Sequence, residues 1–201
     1  MNKRESINEL IEEIYKNKQD KTDLEILFVF PILKQITLCV EDVKLLTKHN
    51  QISSLGCICR QIMELYVTLF YVLNKKFTDE EWESFVKFFI KNQRLGRLSK
   101  GEKGWKNLRP ECLLQFHEEK TNYSGLKDAY DALCKMTHFS SIRVDAFLRD
   151  KRVFSNTYNS REEKETICKL ANTFNDNIQQ KTLLIVQTAY TEYLGDTRGA
   201  I

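Results

Sequence analysis

The stretch CICRQIMELYVTLFYVL, Cys57–Leu73, decides the fold. Wound at 3.6 residues per turn, its apolar residues fall on almost every side, as in a helix enclosed by protein. Two opposite charges, Arg60 and Glu64, nevertheless sit inside it one turn apart. At i and i+4 they point the same way and can pair. Val67 and Tyr71 continue their stripe, and neither is a residue typical of solvent. One reading puts the stripe at the edge of a bundle, with Arg60 reaching water along its aliphatic stem. The other puts a desolvated pair in the interior or a cleft, where further polar groups must complete the network.

Helical periodicity extends outward from this segment in both directions. Residues 4 to 17 carry Ile7, Leu10, Ile11 and Ile14 on one stripe. KNKQDKTD breaks the pattern, with Thr22 or Asp23 suited to an N-cap. From Leu24 to His49 the period runs through Leu27, Phe30, Leu33, Ile36, Val40, Val43 and Leu46. Pro31 lies within it and predicts either a kinked long helix or two helices that meet there. Ser53 or Ser54 is expected to cap the helix holding Arg60 and Glu64. Thr78, followed by three acidic residues, predicts the next helix start, and the helix itself carries Trp82, Phe85, Phe88 and Phe89. A short helix is expected from Pro110 to about Glu119, and another after Ser124. Ser160 opens a helix of about thirty residues that keeps its period through Leu170, Phe174, Ile178, Leu183, Val186, Tyr190 and Leu194. Residues 142 to 158 fit either a short helix with a loop or extended chain. The expected architecture is all-α: one domain over 1–201, built as an antiparallel bundle of five to seven helices. Residues 1–20 form its N-terminal helix, 24–194 the bundle core and 195–201 a flexible tail.

Composition agrees with this class. The 201 residues are 42% hydrophobic and 29% charged, with only 2 Pro and 7 Gly to punctuate hairpins. A net charge of +3 is too small to announce a polyanion binder. The first fifteen residues lack the apolar core of a signal peptide, and no run of about 18 apolar residues predicts a membrane span. A cytoplasmic location follows as an expectation. Of the six cysteines, only Cys57 and Cys59 lie close together, so the set reads as small buried hydrophobes in a reducing compartment. No cofactor is expected. A zinc site would want two well-spaced ligand pairs, and a Cys-x-Cys pair on a helix directs its thiols about 200° apart.

A second polar constellation lies in AYDALCKMTHFSS, where Tyr130, Cys134 and His138 follow at i+4 steps on one helical face. His138 falls near the helix C-terminus, where the dipole favours imidazolium. Arg60, Glu64, Tyr130 and His138 together have the chemistry to hold a phosphate and move protons in RNA cleavage. The imidazole would act as acid or base, and the guanidinium would stabilise charge on phosphorus. The same four would equally form a closed hydrogen-bond network that fixes helix register. His49 is accounted for by the end of its helix, and His117, beside Glu118 and Glu119, is expected at the solvated surface. Arg97, Lys100, Lys103, Lys106 and Arg109 form a basic run around Trp105. It reads first as a solvated loop, and alternatively as a track for a nucleic-acid backbone or a contact for a partner.

The order of these elements, with CRQIMELYVTLFYVL, an aromatic-rich helix, YDALCKMTHFSS and a long closing helix, resembles bacterial all-helical proteins of the HEPN-like class, the abortive-infection proteins of AbiV type among them. The resemblance covers roughly residues 24 to 194, and its specific part is Arg60, Glu64, Tyr130 and His138. It implies an antiphage effector that arrests growth by blocking translation or attacking RNA. It also implies a homodimer, a phage protein as trigger, and RNA or the translation machinery as target. Catalytic members carry an Arg, four to six residues, then a His. Here Arg109 and His117 have seven residues between them, and the nearest basic residue before His138 is Lys135. That departure implies a non-cleaving effector, with a metal-independent ribonuclease or a non-catalytic helical adaptor as the alternatives.

Overall fold

Helix α1, Ile7–Asn17, starts where the sequence can satisfy its free N–H groups. Ser6 Oγ accepts from the Glu9 N–H at 3.2 Å, and Glu9 returns its carboxylate to the Ser6 N–H at 3.2 Å. The computed structural model describes residues 6–92, 109–137 and 161–194, and those residues are all helix and connecting turns. They form seven α-helices, which follow as α2 (Phe30–Lys48), α3 (Ile52–Asn74), α4 (Asp79–Asn92), α5 (Pro110–Thr121), α6 (Leu126–Thr137) and α7 (Arg161–Ala189). The expectations for the tail and for residues 142 to 158 lie outside the described residues.

Pro31 neither ends nor splits its helix. One π-helical turn, Glu25–Val29, leads directly into α2, and the Phe30 N–H reaches back to the Glu25 carbonyl. Widening the turn relieves the proline ring's clash with the preceding turn, and Pro31 sits in the first turn of α2, where its missing N–H costs nothing. The end of α2 closes on Asn50, which has φ +53°. Gln51 N–H bonds the Leu46 carbonyl at 2.8 Å and Asn50 N–H the Thr47 carbonyl at 3.2 Å, a Schellman closure with Asn in the place glycine usually takes. Because α3 begins at Ile52, Ser53 and Ser54 lie inside its first turn and not at the N-cap position before it. The Thr78 cap forms as expected: its Oγ1 accepts from Glu81 N–H at 3.2 Å and Glu81 returns the bond at 3.0 Å.

The chain divides into two compact units, Met1–Tyr66 with Ala129–Ile201, and Val67–Asp128. In the first, α1, α2 and α7 pack on one another around Leu10, Ile14, Phe28, Leu33 and Ile36, all fully buried. Helices α2 and α7 are antiparallel. Cys168 approaches Thr47, Asn175 approaches Val40, and Tyr190 approaches Glu25, so steps back along one helix match steps forward along the other. In the second unit, rings interlock about Phe85: Phe77 lies 5.2 Å from it, Trp82 stacks at 5.6 Å, and Tyr71 meets Phe116 edge-on at 5.0 Å. Helix α6 starts on a borrowed cap, the Glu118 carboxylate, which accepts from the Gly125 and Lys127 N–H groups at 3.1 Å each.

The segment Ser54–Asn74 is long and apolar enough to cross a membrane, contrary to the expectation drawn from unbroken apolar runs. Arg60 and Glu64 are its only charges. Over its most apolar 18 residues, 67% are buried within the protein itself, which accounts for its composition as that of a core helix.

Candidate functional site

The spacing of Arg60 and Glu64 on α3 brings their side chains together, Arg60 Nε lying 3.4 Å from Glu64 Oε1. The same carboxylate oxygen accepts the Tyr130 hydroxyl from α6 at 2.7 Å. Three of the four residues singled out from the sequence therefore meet. Their setting falls between the two readings of the stripe: the Arg60 and Glu64 side chains are 30% and 36% exposed, whereas Tyr130 is buried. The ion pair is screened by water and contributes at most about 1 kcal/mol. The phenol is different. Burial, then the Glu64 carboxylate, then Cys134 push the Tyr130 ionisation well above its ordinary value. At neutral pH Tyr130 is a fixed donor, aimed at Glu64, and it is not a base.

His138 lies outside the described residues, as do Arg97, Lys100, Lys103, Trp105 and Lys106. Arg109 is exposed at the N-cap of α5.

His117 is not at the solvated surface. It is 2% exposed, its ring 4.4 Å from that of Phe70, with Thr121 Oγ1 3.5 Å from Nδ1. Its neighbours Glu118 and Glu119 suggested solvent, but a helix turns 100° per residue and puts adjacent residues on different faces. Phe70, far away in sequence, decides the burial.

The cysteines divide. Cys39, Cys59 and Cys168 are buried as expected, and burial pushes the Cys59 thiol up to about 12, which leaves it inert. Cys57 is exposed, on the face of α3 opposite the core, so it is not a buried hydrophobe. Among the described residues no cluster of His, Cys, Asp or Glu is arranged to hold a metal ion.

A buried carboxylate was passed over by the sequence reading. Glu25 is 2% exposed. Its Oε1 takes the Lys18 ammonium at 2.7 Å and the Tyr190 hydroxyl at 2.9 Å, and its Oε2 takes the Thr22 N–H at 2.7 Å and the Thr22 hydroxyl at 2.5 Å. Burial alone would raise the carboxyl. Lys18, Thr22 and Tyr190 outweigh it and hold Glu25 below its ordinary value. Burial and Glu25 in turn push Tyr190 well up. The Thr-x-x-Glu spacing of a capping box was legible in the sequence, but Lys18 and Tyr190 join it only through the fold.

No family model, curated protein or solved structure matches this chain.

Tyr130→Phe removes the hydroxyl and leaves the ring. We expect a loss of about 1–2 kcal/mol in urea unfolding, the range for a hydrogen bond to a charged group that keeps some access to water. A change below about 0.3 kcal/mol would mean that water replaces Tyr130 without cost.

Proposed function

We propose that the chain is a HEPN-like antiphage effector of AbiV type, a cytosolic homodimer that arrests growth by binding and not by cutting RNA. Its partner is a phage protein or a component of the translation machinery. The all-helical fold supports the class, and the meeting of Arg60, Glu64 and Tyr130 supports the part of the resemblance that is specific to this sequence.

The observation that carries the binding reading is the burial of His117. Of the Arg/His pairs in the chain, Arg109 and His117 come nearest to nuclease spacing. The imidazole is packed against Phe70 and is 2% exposed, so it is enclosed away from any phosphodiester. A general acid or base must come within hydrogen-bond reach of the proton it moves. Tyr130 adds to this, because a phenol held protonated and turned onto Glu64 serves a structural network better than proton transfer. The ribonuclease alternative then rests on His138.

The test is infection of cells carrying wild-type protein or His138→Ala, with RNA integrity followed beside incorporation of a labelled amino acid. The expected result is arrested protein synthesis over intact RNA in both strains. RNA fragments ending in 2′,3′-cyclic phosphate that disappear in His138→Ala would replace the binding reading with the nuclease. Unchanged RNA, unchanged synthesis and unchanged phage yield would overturn the antiphage reading and leave the helical adaptor.

A further inference from the structure

Helices α2 and α7 meet along faces with the same spacing. On α2 the face is Leu33, Ile36, Val40, Val43 and Thr47, and on α7 it is Cys168, Ala171, Asn175, Ile178 and Thr182. Steps of three and four alternate on both, the pattern by which helices pack knobs into holes. Such a seam does not choose its own alignment. Sliding one helix by seven residues, about 10 Å, again sets one such face against another.

Two buried polar contacts distinguish the observed alignment; the others, Thr47 Oγ1 to Asn172 Oδ1 at 3.4 Å and the long Cys168 thiol contact with the Thr47 carbonyl, lie at the exposed and half-buried end of the seam. Asn175, 1% exposed, lies in the middle of the seam and donates Nδ2 to the Val40 carbonyl at 3.4 Å. Among the described residues no donor reaches its Oδ1. A buried amide acceptor left without a donor destabilises the fold, so an aliphatic side chain of similar volume would be more favourable there. At one end of the seam Tyr190 donates to Glu25 at 2.9 Å. A slide in one direction would bring Asn175 against Leu33, whose carbonyl already accepts the Thr37 hydroxyl at 3.0 Å. A slide in either direction takes Tyr190 away from Glu25.

We infer that Asn175 and the Tyr190–Glu25 pair set the register of α7 on α2, and that Asn175 is held at a cost in stability. The aliphatic layers supply cohesion, and the two polar contacts supply alignment. Buried polar groups fix register in this way in coiled coils.

The test compares Asn175→Leu, Tyr190→Phe and the double variant by thermal unfolding and by amide and methyl NMR. Asn175→Leu is expected to raise Tm by about 3–6 °C, the shift for a chain of this size when a buried unpaired acceptor is removed. Each single variant keeps one set of resonances, because the other contact still holds the alignment. The double variant is expected to show doubled or broadened resonances along α2 and α7 while staying helical. A lower Tm in Asn175→Leu, or in Asn175→Val should leucine overfill the site, would show that the amide stabilises the seam and would overturn the inference. One sharp set of resonances in the double variant would overturn it equally, by showing that aliphatic packing alone selects the register.

Discussion

Glu25→Ala is expected to be among the most damaging single substitutions, with a loss of about 3–5 kcal/mol in urea unfolding at neutral pH. The carboxylate satisfies three partners at once. Its removal strands the Lys18 ammonium, whose side chain is only 13% exposed, and leaves the buried Tyr190 hydroxyl without its acceptor. Breaking one side of a buried charged pair costs far more than the pair contributes when intact. The same carboxylate confers an acid dependence of known sign. Its folded value lies below the ordinary value of 4.5 that it recovers on unfolding. The contribution is therefore complete above about pH 4.5 and is lost as pH falls through the lower folded value. Glu25→Gln should flatten that part of the curve, so the difference between wild-type and variant stability narrows as the solution is acidified from pH 6. A difference that stays constant down to pH 3 would mean that folding leaves the Glu25 ionisation unshifted, and one that widens on acidification would mean that Glu25 is neutral in the fold. A loss below 1 kcal/mol in Glu25→Ala would mean that Lys18 reaches water freely.

Local chemistry was legible from the sequence, and so was the helical class. Thr78 and Glu81 sit three residues apart and close their box without outside help. The long closing helix is described over Arg161–Ala189, 29 residues against about thirty expected, and the Ser160 from which it was expected to open lies outside the described residues. What the sequence hid was contact at a distance. Leu170, taken as part of the apolar stripe of α7, is 64% exposed, while Ala171 beside it is buried. The period was right, and Ile178, Val186, Tyr190 and Leu194 are buried on it; only in its first turns does burial pass from Leu170 and Phe174 to the next residues, Ala171 and Asn175. The seam with α2 uses Ala171, Asn175 and Thr182, small or polar residues that a hydropathy reading does not count as core. Helices approach closely where side chains are small, so the largest apolar residues do not always mark the buried face. Arg60, Glu64 and Tyr130 were chosen for their residue types and their i+4 steps. Their meeting at Glu64 depends on where α6 lies beside α3, which spacing within either helix does not state. His117 shows the converse error, because its near neighbours in sequence pointed outward and a phenylalanine 47 positions earlier enclosed it.

Phe85→Ala is expected to cost about 3–5 kcal/mol, the range for emptying a fully buried aromatic site. Phe85 is fully buried in the unit Val67–Asp128, stacked on Trp82 and 5.2 Å from Phe77. Deleting it leaves both rings facing a cavity and removes two aromatic pairs. The informative measurement is amide hydrogen exchange, helix by helix, because a chain that divides into two units need not unfold as one. Amides in α4 and α5 should lose protection, while those in α1, α2 and α7, packed on one another around Leu10, Ile14 and Phe28, should keep it. Equal loss of protection in every helix would show that the two units unfold cooperatively. Selective loss would identify Val67–Asp128 as the less stable part of the molecule. On the proposed binding reading such a part has a use, since a segment that opens at low cost can be ordered by a partner without disturbing the helices that hold the rest of the fold.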